Sequence, residues 1–369
     1  MRDADLRFMR QALQLAAGAR GRTSPNPMVG AVVVKDGRIV GKGYHVRAGS
    51  PHAEVVALAR AGELARGATL YVNLEPCCHQ GRTPPCVDEI ISKGISRVVA
   101  SVEDPNPVVS GKGLSRLKEA GLKVEVGLLK EKAQRLNEAF FKFIRTGRPF
   151  VILKGAMSLD GKIATTGGES RWITGEEARG YVHRLRDQVD AILVGVGTIL
   201  RDDPLLTTRL PNRKGKDPIR VIVDSQACIP WNARVLKVGS HSPTIIAVSE
   251  GVSGDRLEGL KRMGAKILFV PPGERGVSLS KLIAKLGEMG IMSLLIEGGG
   301  EVNASAIEEA LVDKLILFYS PLIIGGKEAP SLIGGRGVDS LNKALPIHNI
   351  RVRRFGADLM IEGYLCSQD

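Results

Sequence analysis

Pro51-His52-Ala53-Glu54, answered further along by Pro76-Cys77-Cys78 and then by Pro84-Pro85-Cys86, is the stretch on which the reading of this chain turns. One imidazole and two thiolates are the ligand set that zinc prefers where it keeps a fourth position open for water. A glutamate two residues after the histidine can face that water without ligating the metal. His52, Cys77 and Cys86 are therefore assigned as ligands and Glu54 as the proton shuttle.

The local pattern around these residues sets the fold class. Leu6, Met9, Leu13 and Ala16 share one helical face, which predicts a helix over 3–18. The apolar run Val29–Val34 ends at Asp36-Gly37 and resumes over 38–43, a hairpin signal. His52 opens a helix to about Ala65, and Thr69–Leu74 is a short strand. Pro85 suits a first helical position, so Cys86 starts the next helix. Strand 97–102, helix 112–120 and strand 123–126 complete an order of ββαβαβαβ, which implies a sheet sandwiched by helices. Both metal half-sites then lie at helix N-termini, where the dipole favours anions.

A helical connector over 130–145 leads to Thr146-Gly147-Arg148-Pro149, the strongest boundary signal, so domains are expected at 1–147 and 148–369. Beyond it the pattern restarts with strand 150–156, a Gly-rich irregular stretch 160–168, helix 176–187 and strand 190–194. Further strands are expected at 219–224, 244–248, 266–270 and 292–297, with helices near 255–263, 278–289 and 301–311. Runs 351–355 and 359–365 close the chain as a hairpin. The second domain reads as α/β with a largely parallel sheet and an antiparallel end.

Composition narrows the class. The 369 residues have room for two cores, and 43% hydrophobic with 25% charged residues describes a soluble globular chain. No apolar run reaches membrane-span length and no signal peptide opens the chain, so a cytoplasmic location is expected. Three of the five cysteines cluster, which favours metal chemistry over disulfides; Cys228 and Cys366 read as buried thiols. The net charge of +13 is uneven: residues 1–148 carry 24 Lys and Arg against 14 Asp and Glu, the remainder 28 against 25. That bias suits a phosphorylated substrate or a nucleic acid, and composition does not choose between them.

His-x-Glu with Pro-Cys and a second cysteine is the signature of zinc-dependent deaminases of bases and nucleosides. Eight residues separate Cys77 from Cys86 where the usual motif has two. Cys78 could compete as a ligand, but Cys77 directly follows the proline and is preferred. His79, in the inserted loop, is open to two readings, a substrate contact or a solvent-exposed loop histidine. In the second domain, Gly298-Gly299-Gly300 and Val194-Gly195-Val196-Gly197-Thr198 each follow an apolar strand and precede a helical or irregular stretch. Such glycines can cradle phosphate at a helix N-terminus, though neither is the Gly-x-Gly-x-x-Gly fingerprint.

Several longer stretches resemble the bifunctional riboflavin-biosynthesis deaminase/reductase family. In the first half these are Thr23-Ser24-Pro25-Asn26-Pro27, Gly43-Tyr44-His45, the His52 motif, and Glu75-Pro76-Cys77 through Gly81-Arg82-Thr83 to Cys86, whose long Cys-to-Cys loop is itself characteristic. In the second they are Lys154–Gly161, Gly168–Thr174 and Asp202–Arg209. The resemblance spans essentially the whole chain. It implies a cytidine-deaminase-like αβα domain followed by a dihydrofolate-reductase-like α/β domain, with Zn2+ and NADPH as cofactors. The implied reactions are zinc-hydroxide deamination of 2,5-diamino-6-(5-phosphoribosylamino)pyrimidin-4(3H)-one, then NADPH-dependent reduction of the ribosyl to a ribityl chain, giving 5-amino-6-(5-phosphoribitylamino)uracil.

Carried over by position, the resemblance places Asn26 and His45 near the deaminase substrate, with hairpin-shaping turn residues as the alternative for His45. It places Ala156, Trp172, Thr198, Asp202, Ser225 and the loop Gly299, Gly300, Glu301, Val302, Asn303, Ala304, Ser305 around NADPH. Ser170, Arg186, Leu206, Arg209 and Glu297 fall around the reductase substrate. Arg186 and Arg209 suit a ribose 5-phosphate because guanidinium matches phosphate bidentately, and Arg209 carries the greater weight, since Arg186 could also lie on a solvated helix face. Asp202 and Asp203 could equally be turn formers before Pro204. The implied partner is a small phosphorylated pyrimidine, with no nucleic acid and no membrane, and a homo-oligomer is the expected assembly. Two rivals stand beside this reading: a tRNA adenosine or free cytidine deaminase fused to an unrelated domain, and a non-catalytic protein that keeps the fold.

Overall fold

The computed structural model describes residues 2–80 and 84–365, so Gly81-Arg82-Thr83 of the Cys-to-Cys loop and Cys366 lie outside the described residues. The chain divides into two compact units, Met1–Gly147 and Arg148–Asp369.

The first unit runs α1 (Arg2–Ala17), β1 (Gly30–Lys35), β2 (Arg38–Tyr44), α2 (Ala53–Ala61), β3 (Thr69–Val72), α3 (Cys86–Ser92), β4 (Arg97–Ala100), α4 (Lys112–Glu119), β5 (Lys123–Val126), α5 (Lys130–Leu136) and α6 (Glu138–Thr146). Its five strands order as β2-β1-β3-β4-β5. The β1–β2 and β1–β3 pairs are antiparallel and the β3–β4–β5 pairs parallel. Strand alternation builds two cores. Ala31, Val33, Leu70, Val72, Val98 and Ala100 pack with α2, α3 and α4. Val32, Val34, Tyr71 and Val99 pack with Phe8, Met9 and Ala12 of α1.

Asp36 and Gly37 both have positive φ, as a tight two-residue hairpin turn requires. The helix that opens after His52 stops at Ala61 rather than Ala65: Gly62 takes φ 54 and a 3-10 turn continues to Ala65. A Cβ at Gly43 would lie 2.3 Å from the Ala53 carbonyl oxygen, so glycine is what lets α2 settle on β2. Pro85 occupies the cap position and Cys86 is the first helical residue. The connector over 130–145 is two helices, not one. Asn137 breaks it, and its side chain accepts from Met28 N (2.8 Å) and donates to Met28 O (2.9 Å).

The second unit runs β6 (Phe150–Ser158), α7 (Glu176–Gln188), β7 (Ala191–Gly195), α8 (Val196–Asp202), β8 (Ile219–Val223), β9 (Thr244–Ser249), α9 (Asp255–Arg262), β10 (Lys266–Val270), the small hairpin β11 (Pro272–Gly273) and β12 (Gly276–Val277), α10 (Leu279–Glu288), β13 (Ser293–Ile296), α11 (Gly300–Glu308), β14 (Lys314–Ser320), β15 (His348–Phe355) and β16 (Asp358–Tyr364). The main sheet has nine strands in the order β10-β9-β8-β7-β13-β6-β14-β16-β15. It is parallel from β10 to β14, and β16 and β15 close it antiparallel. Both faces are covered. Leu193, Val221, Ile245 and Leu294 pack with α10 on one side, and Ile192, Val194, Ile222 and Ile246 pack with Ile199 of α8 and Leu257 of α9 on the other.

The hairpin strands β11 and β12 are absent from the sequence reading, and so are the buried strand Lys314–Ser320, set off from Leu311-Val312 by Asp313, and helix α8, into which the Gly-Val-Gly-Thr stretch continues. Cys228 corrects another expectation, for it is exposed. It sits in the turn after β8, where Ala227 and Ile229 on either side take the buried positions.

The chain leaves β7 towards β8, and later returns to lay β13 between β7 and β6. Such a reversal opens a crevice at the carboxyl ends of the neighbouring strands. Here β7 runs into α8 and β13 runs towards α11, so both helix N-termini flank that crevice.

Candidate functional site

In the first unit, His52 caps α2 and its carbonyl accepts from Val56 N, which fixes the imidazole at the helix entrance. Across from it, the α3 N-terminus turns its first amides onto Cys77: Cys86 N donates to Cys77 Sγ at 3.3 Å and Val87 N to Cys77 O at 3.2 Å. The His52 Nδ1 lies 3.1 Å from Cys86 Sγ and 3.4 Å from Cys77 Sγ. All three ligand atoms fall within 4.8 Å of one another, and Cys78 is outside this group. Instead Cys78 packs against the adjoining core, while its carbonyl accepts from Arg116.

Hydrogen bonding from Cys86, joined by His52, pulls the Cys77 thiol down to about 4, and the same bond with burial pushes Cys86 up. Glu54 is buried, and burial together with the Cys77 charge pushes its carboxyl up to about 7. Its Oε2 is buried with no hydrogen-bond partner. An unsatisfied carboxylate oxygen beside a His-Cys-Cys donor set fits a zinc ion with a water next to it.

These groups open into a cleft of about 450 Å³ lined by Asn26, His45, His52, Glu54, Cys77 and His79 among others. Asn26 Nδ2 lies 3.0 Å from His45 Nε2, and His45 Nδ1 lies 3.2 Å from Pro51 O. That pairing requires His45 to donate from Nδ1 and accept at Nε2. His79 is exposed on the rim. Sequence reasoning passed over several groups here. Asp104 and Asn106 follow β4 and line the cleft, with Phe140, Phe143 and Ile144 of α6 opposite. Burial pushes the Asp104 carboxyl up to about 6. Asn73 accepts from Gly30 N and donates to Met28 O, so with Asn137 it grips the segment just after Asn26. Glu75 accepts from the amides of Asp104, Gly111, Gly113 and Leu114, tying the cleft loop to α4. Polar residues next to a strand end, as at Asn73-x-Glu75, were the available signal.

In the second unit a cavity of about 1910 Å³ opens at the carboxyl ends of the central strands. At its base Arg186 donates from Nε to Glu297 Oε1 (2.8 Å) and from Nη2 to Oε2 (3.0 Å), with a third bond from Nη1 to Thr207 O. Lys154 Nζ stands 3.9 Å from Glu297 Oε2. Burial alone would raise the Glu297 pKa, but Arg186 and Lys154 outweigh it and hold the carboxyl at about 2. Burial, with Arg186 and Arg209 nearby, depresses His183 to about 4, so its imidazole is neutral. Its Nδ1 accepts from Arg209 N at 3.3 Å.

All five residues assigned to the reductase substrate, Ser170, Arg186, Leu206, Arg209 and Glu297, line this cavity. The two arginines differ, however. Arg186 is no solvated helix face: its side chain is 13% exposed and its fork is turned onto a carboxylate. Arg209 is exposed, and Nη1 donates to Thr207 Oγ1.

Of the residues assigned to the dinucleotide, Ala156, Trp172, Thr198, Asp202, Gly299, Gly300, Glu301 and Val302 line the cavity, whereas Ser225, Asn303, Ala304 and Ser305 do not. Ser225 Oγ accepts from Val277 N, which ties β12 to the end of β8. Asn303 is fully buried and donates to Leu332 O. Asp202 accepts from Ser170 Oγ at 3.1 Å, and Asp203 accepts from Arg234 N at 2.8 Å, so both do more than shape a turn. A Cβ at Gly300 would sit 2.9 Å from Ser331 O, and no atom would meet one at Gly197 within 4 Å. Side-chain-free backbone at the paired α8 and α11 N-termini fits a pyrophosphate.

The comparisons with known proteins agree with this division. Residues 149–361 match the RibD C-terminal domain, and residues 2–102 match the cytidine and deoxycytidylate deaminase zinc-binding region. The chain is 46% identical over 361 residues to a riboflavin biosynthesis protein RibD from Aquifex aeolicus, covering 98% of both chains. Among solved structures, RibD from Acinetobacter baumannii matches with a TM-score of 0.88 at 36% identity, covering 99% of both chains. A diaminohydroxyphosphoribosylaminopyrimidine deaminase/5-amino-6-(5-phosphoribosylamino)uracil reductase from Thermotoga maritima matches with 0.87 at 37% over the same share.

Proposed function

This chain belongs to the RibD family of riboflavin-biosynthesis proteins, and from that premise we propose which of its residues carry two successive reactions. It is a bifunctional enzyme, a zinc-dependent deaminase joined to an NADPH-dependent reductase. The first reaction removes an amino group from 2,5-diamino-6-(5-phosphoribosylamino)pyrimidin-4(3H)-one. The second reduces the ribosyl group to give 5-amino-6-(5-phosphoribitylamino)uracil.

The observation that carries the first assignment is the meeting of His52, Cys77 and Cys86 beside the unpaired Glu54 Oε2. His52 Nδ1 and the two sulfurs would hold the metal. When bound, zinc supplies Lewis acidity that makes water nucleophilic near neutral pH. Glu54, buried beside these ligands with Oε2 unpaired, would accept a proton from that water and return it to the departing amine. Asn26 and His45 fix each other across the cleft and present a set hydrogen-bonding edge to the pyrimidine. Phe140 and Phe143 supply the apolar wall.

In the reductase the glycines before α8 and α11, with Thr198 and Asp202, would hold the dinucleotide, which supplies the hydride. Arg186, Glu297 and Lys154 form a locked floor that orients the sugar, because the one carboxylate holds both cations in place. Arg209 is free to take the phosphate. Homo-oligomerisation belongs to the same proposal: the edge strand β15 exposes Ile350 (57%) and Val352 (60%). So does a cytoplasmic location; no described helix is long and apolar enough to cross a membrane.

The test is a coupled assay on purified protein with the phosphoribosylamino-pyrimidine and NADPH. Ammonia release followed by NADPH oxidation is expected, and neither occurring would overturn the assignment.

A further inference from the structure

We infer that Arg234 is a second phosphate-holding cation of the reductase cavity, acting with Arg209 on the substrate's phosphate monoester and so setting the preference for a phosphorylated substrate. The inference rests on the reading of the second unit as the reductase of a phosphorylated sugar.

Arg234 is held in place by its backbone and leaves its side chain unused. It opens the short 3-10 turn Arg234–Leu236. Ala233 and Val235 on either side are 3% and 1% exposed, so the turn is anchored in the core on both flanks of the arginine. Val235 O accepts from Thr244 Oγ1 at 3.2 Å, and Arg234 N donates to Asp203 Oδ1 at 2.8 Å. Asp203 itself ends α8 in a left-handed conformation, between Asp202 and Pro204, which line the cavity. These contacts fix where the guanidinium starts, yet none of them uses it. Among the described residues no carboxylate is paired with Arg234, although the side chain lines the cavity along with Arg209, Leu210 and Pro211.

Charge balance points the same way. Arg186 is neutralised by the bidentate bond to Glu297, and His183 is held neutral. Arg209 has a hydroxyl partner for its guanidinium. Burial and then the charges of Arg186 and Arg234 push the Arg209 pKa down, against a smaller opposing effect of Asp217 and Glu297, so the Arg209 and Arg234 guanidinium groups lie within electrostatic reach of each other. Asp217 and Glu297 act on Arg209 in the opposite sense but less strongly than the two arginines, so a net repulsion remains that a dianion seated there removes. A phosphate monoester carries about two negative charges at neutral pH and accepts the planar forks of two arginines. Two phosphates could visit this cavity, the substrate's and the 2′-phosphate of NADPH. The substrate's is favoured because Arg234 lines the same cavity as Arg209, the arginine assigned to that phosphate, and its charge acts on Arg209; the cofactor's phosphate is the alternative that the experiment separates.

The experiment compares wild type, Arg234→Ala and Arg234→Lys in steady-state reduction of the deaminated pyrimidine with and without its phosphate, using NADPH and NADH. Arg234→Ala should raise KM for the phosphorylated substrate by roughly ten- to a hundredfold, the range for a lost charged hydrogen bond. Its kcat should stay within a factor of about two, since the bond is made equally in ground and transition states. Arg234→Lys should fall between, and ribose 5-phosphate should lose potency as a competitive inhibitor in parallel. KM for the dephosphorylated substrate should not change. An equal rise in KM for both substrates would overturn the inference in favour of a structural role. A rise in KM for NADPH but not NADH would overturn it in favour of the cofactor's phosphate. If wild type does not distinguish the two substrates, the underlying reading of a phosphorylated substrate fails, and that result is visible without any variant.

Discussion

Arg186 grips both carboxylate oxygens of Glu297, Nε to Oε1 at 2.8 Å and Nη2 to Oε2 at 3.0 Å, at the floor of the reductase cavity. With Lys154 on the same carboxylate, two cations share one buried anion, so removing Glu297 would strand both. Glu297→Gln is expected to abolish ribosyl reduction. It should leave ammonia release unchanged, because the deaminating residues lie in the other unit. Arg186→Lys should not restore function, because an ammonium cannot occupy both oxygens in the plane of the fork. Glu297→Gln should destabilise the reductase unit by roughly 3–5 kcal/mol, the usual cost of breaking a buried pair from one side, and Arg186→Lys, which keeps the charge, by less. Calorimetry of full-length variants reads the stability, and the two separate assays read the activities. Equal loss of both activities would contradict the division of labour.

Glu54→Gln removes the buried carboxylate and leaves His52, Cys77 and Cys86 in place. Zinc content should stay at the wild-type level while deamination falls by roughly a hundred- to ten-thousandfold, the usual contribution of a positioned acid–base group. Reduction of substrate supplied already deaminated should continue. Loss of zinc in this variant would show that Glu54 is a ligand instead of a proton carrier.

The zinc cluster was legible because its chemistry lies in residue type and order: a histidine before a helix and cysteines after prolines leave few arrangements. The strands and helices around it were legible from period alone. What escaped has a common physical cause. Asn73, Glu75 and Asn137 work through backbone amides of segments distant in sequence, and nothing in the local pattern of those residues announces their partners. Lys314–Ser320 escaped because its apolar run, set off from Leu311-Val312 only by Asp313-Lys314, reads as an extension of the preceding helix's hydrophobic signal. The ranking of Arg186 below Arg209 came from an arginine-rich helix, on which Arg184 is indeed exposed while Arg186, two residues on, turns inward to Glu297. Periodicity locates a helix face but does not say which buried acid waits beneath it.

The choice between adjacent cysteines is open to direct measurement. Cys77→Ala and Cys86→Ala each delete one sulfur from a three-donor site and should abolish both zinc retention and deamination. Cys78→Ala removes a side chain that packs against the core and should leave metal content unchanged, at the cost of a small drop in stability. Metal analysis of the three variants separates them. Full zinc in Cys77→Ala with none in Cys78→Ala would reverse the assignment. Chelation of the wild-type protein should stop ammonia release and spare NADPH oxidation on deaminated substrate, because no metal-ligating cluster occurs among the described residues of the second unit.

A final prediction concerns stability rather than catalysis. Arg97, at the start of β4, bonds both oxygens of Asp5 on α1 (2.9 and 3.0 Å) and both of Glu125 on β5, and the Tyr71 hydroxyl donates to the same Asp5 carboxylate. One guanidinium thereby ties the opening helix to two neighbouring strands. Hydrogen bonding from Arg97, with Tyr71 adding to it, holds the Asp5 pKa below its ordinary value of 3.8. Because the folded pKa is the lower one, the folded state binds the proton less readily than the unfolded chain. The stabilisation is then complete above the ordinary carboxylate pKa and disappears as pH falls through the depressed folded value. Asp5→Asn should consequently lower the thermal midpoint of the deaminase unit at pH 7, and the gap to wild type should close as the pH is taken below about 3.8. Differential scanning calorimetry across that range measures it, and a gap that stays constant with pH would mean that Asp5 contributes through packing and not through its charge.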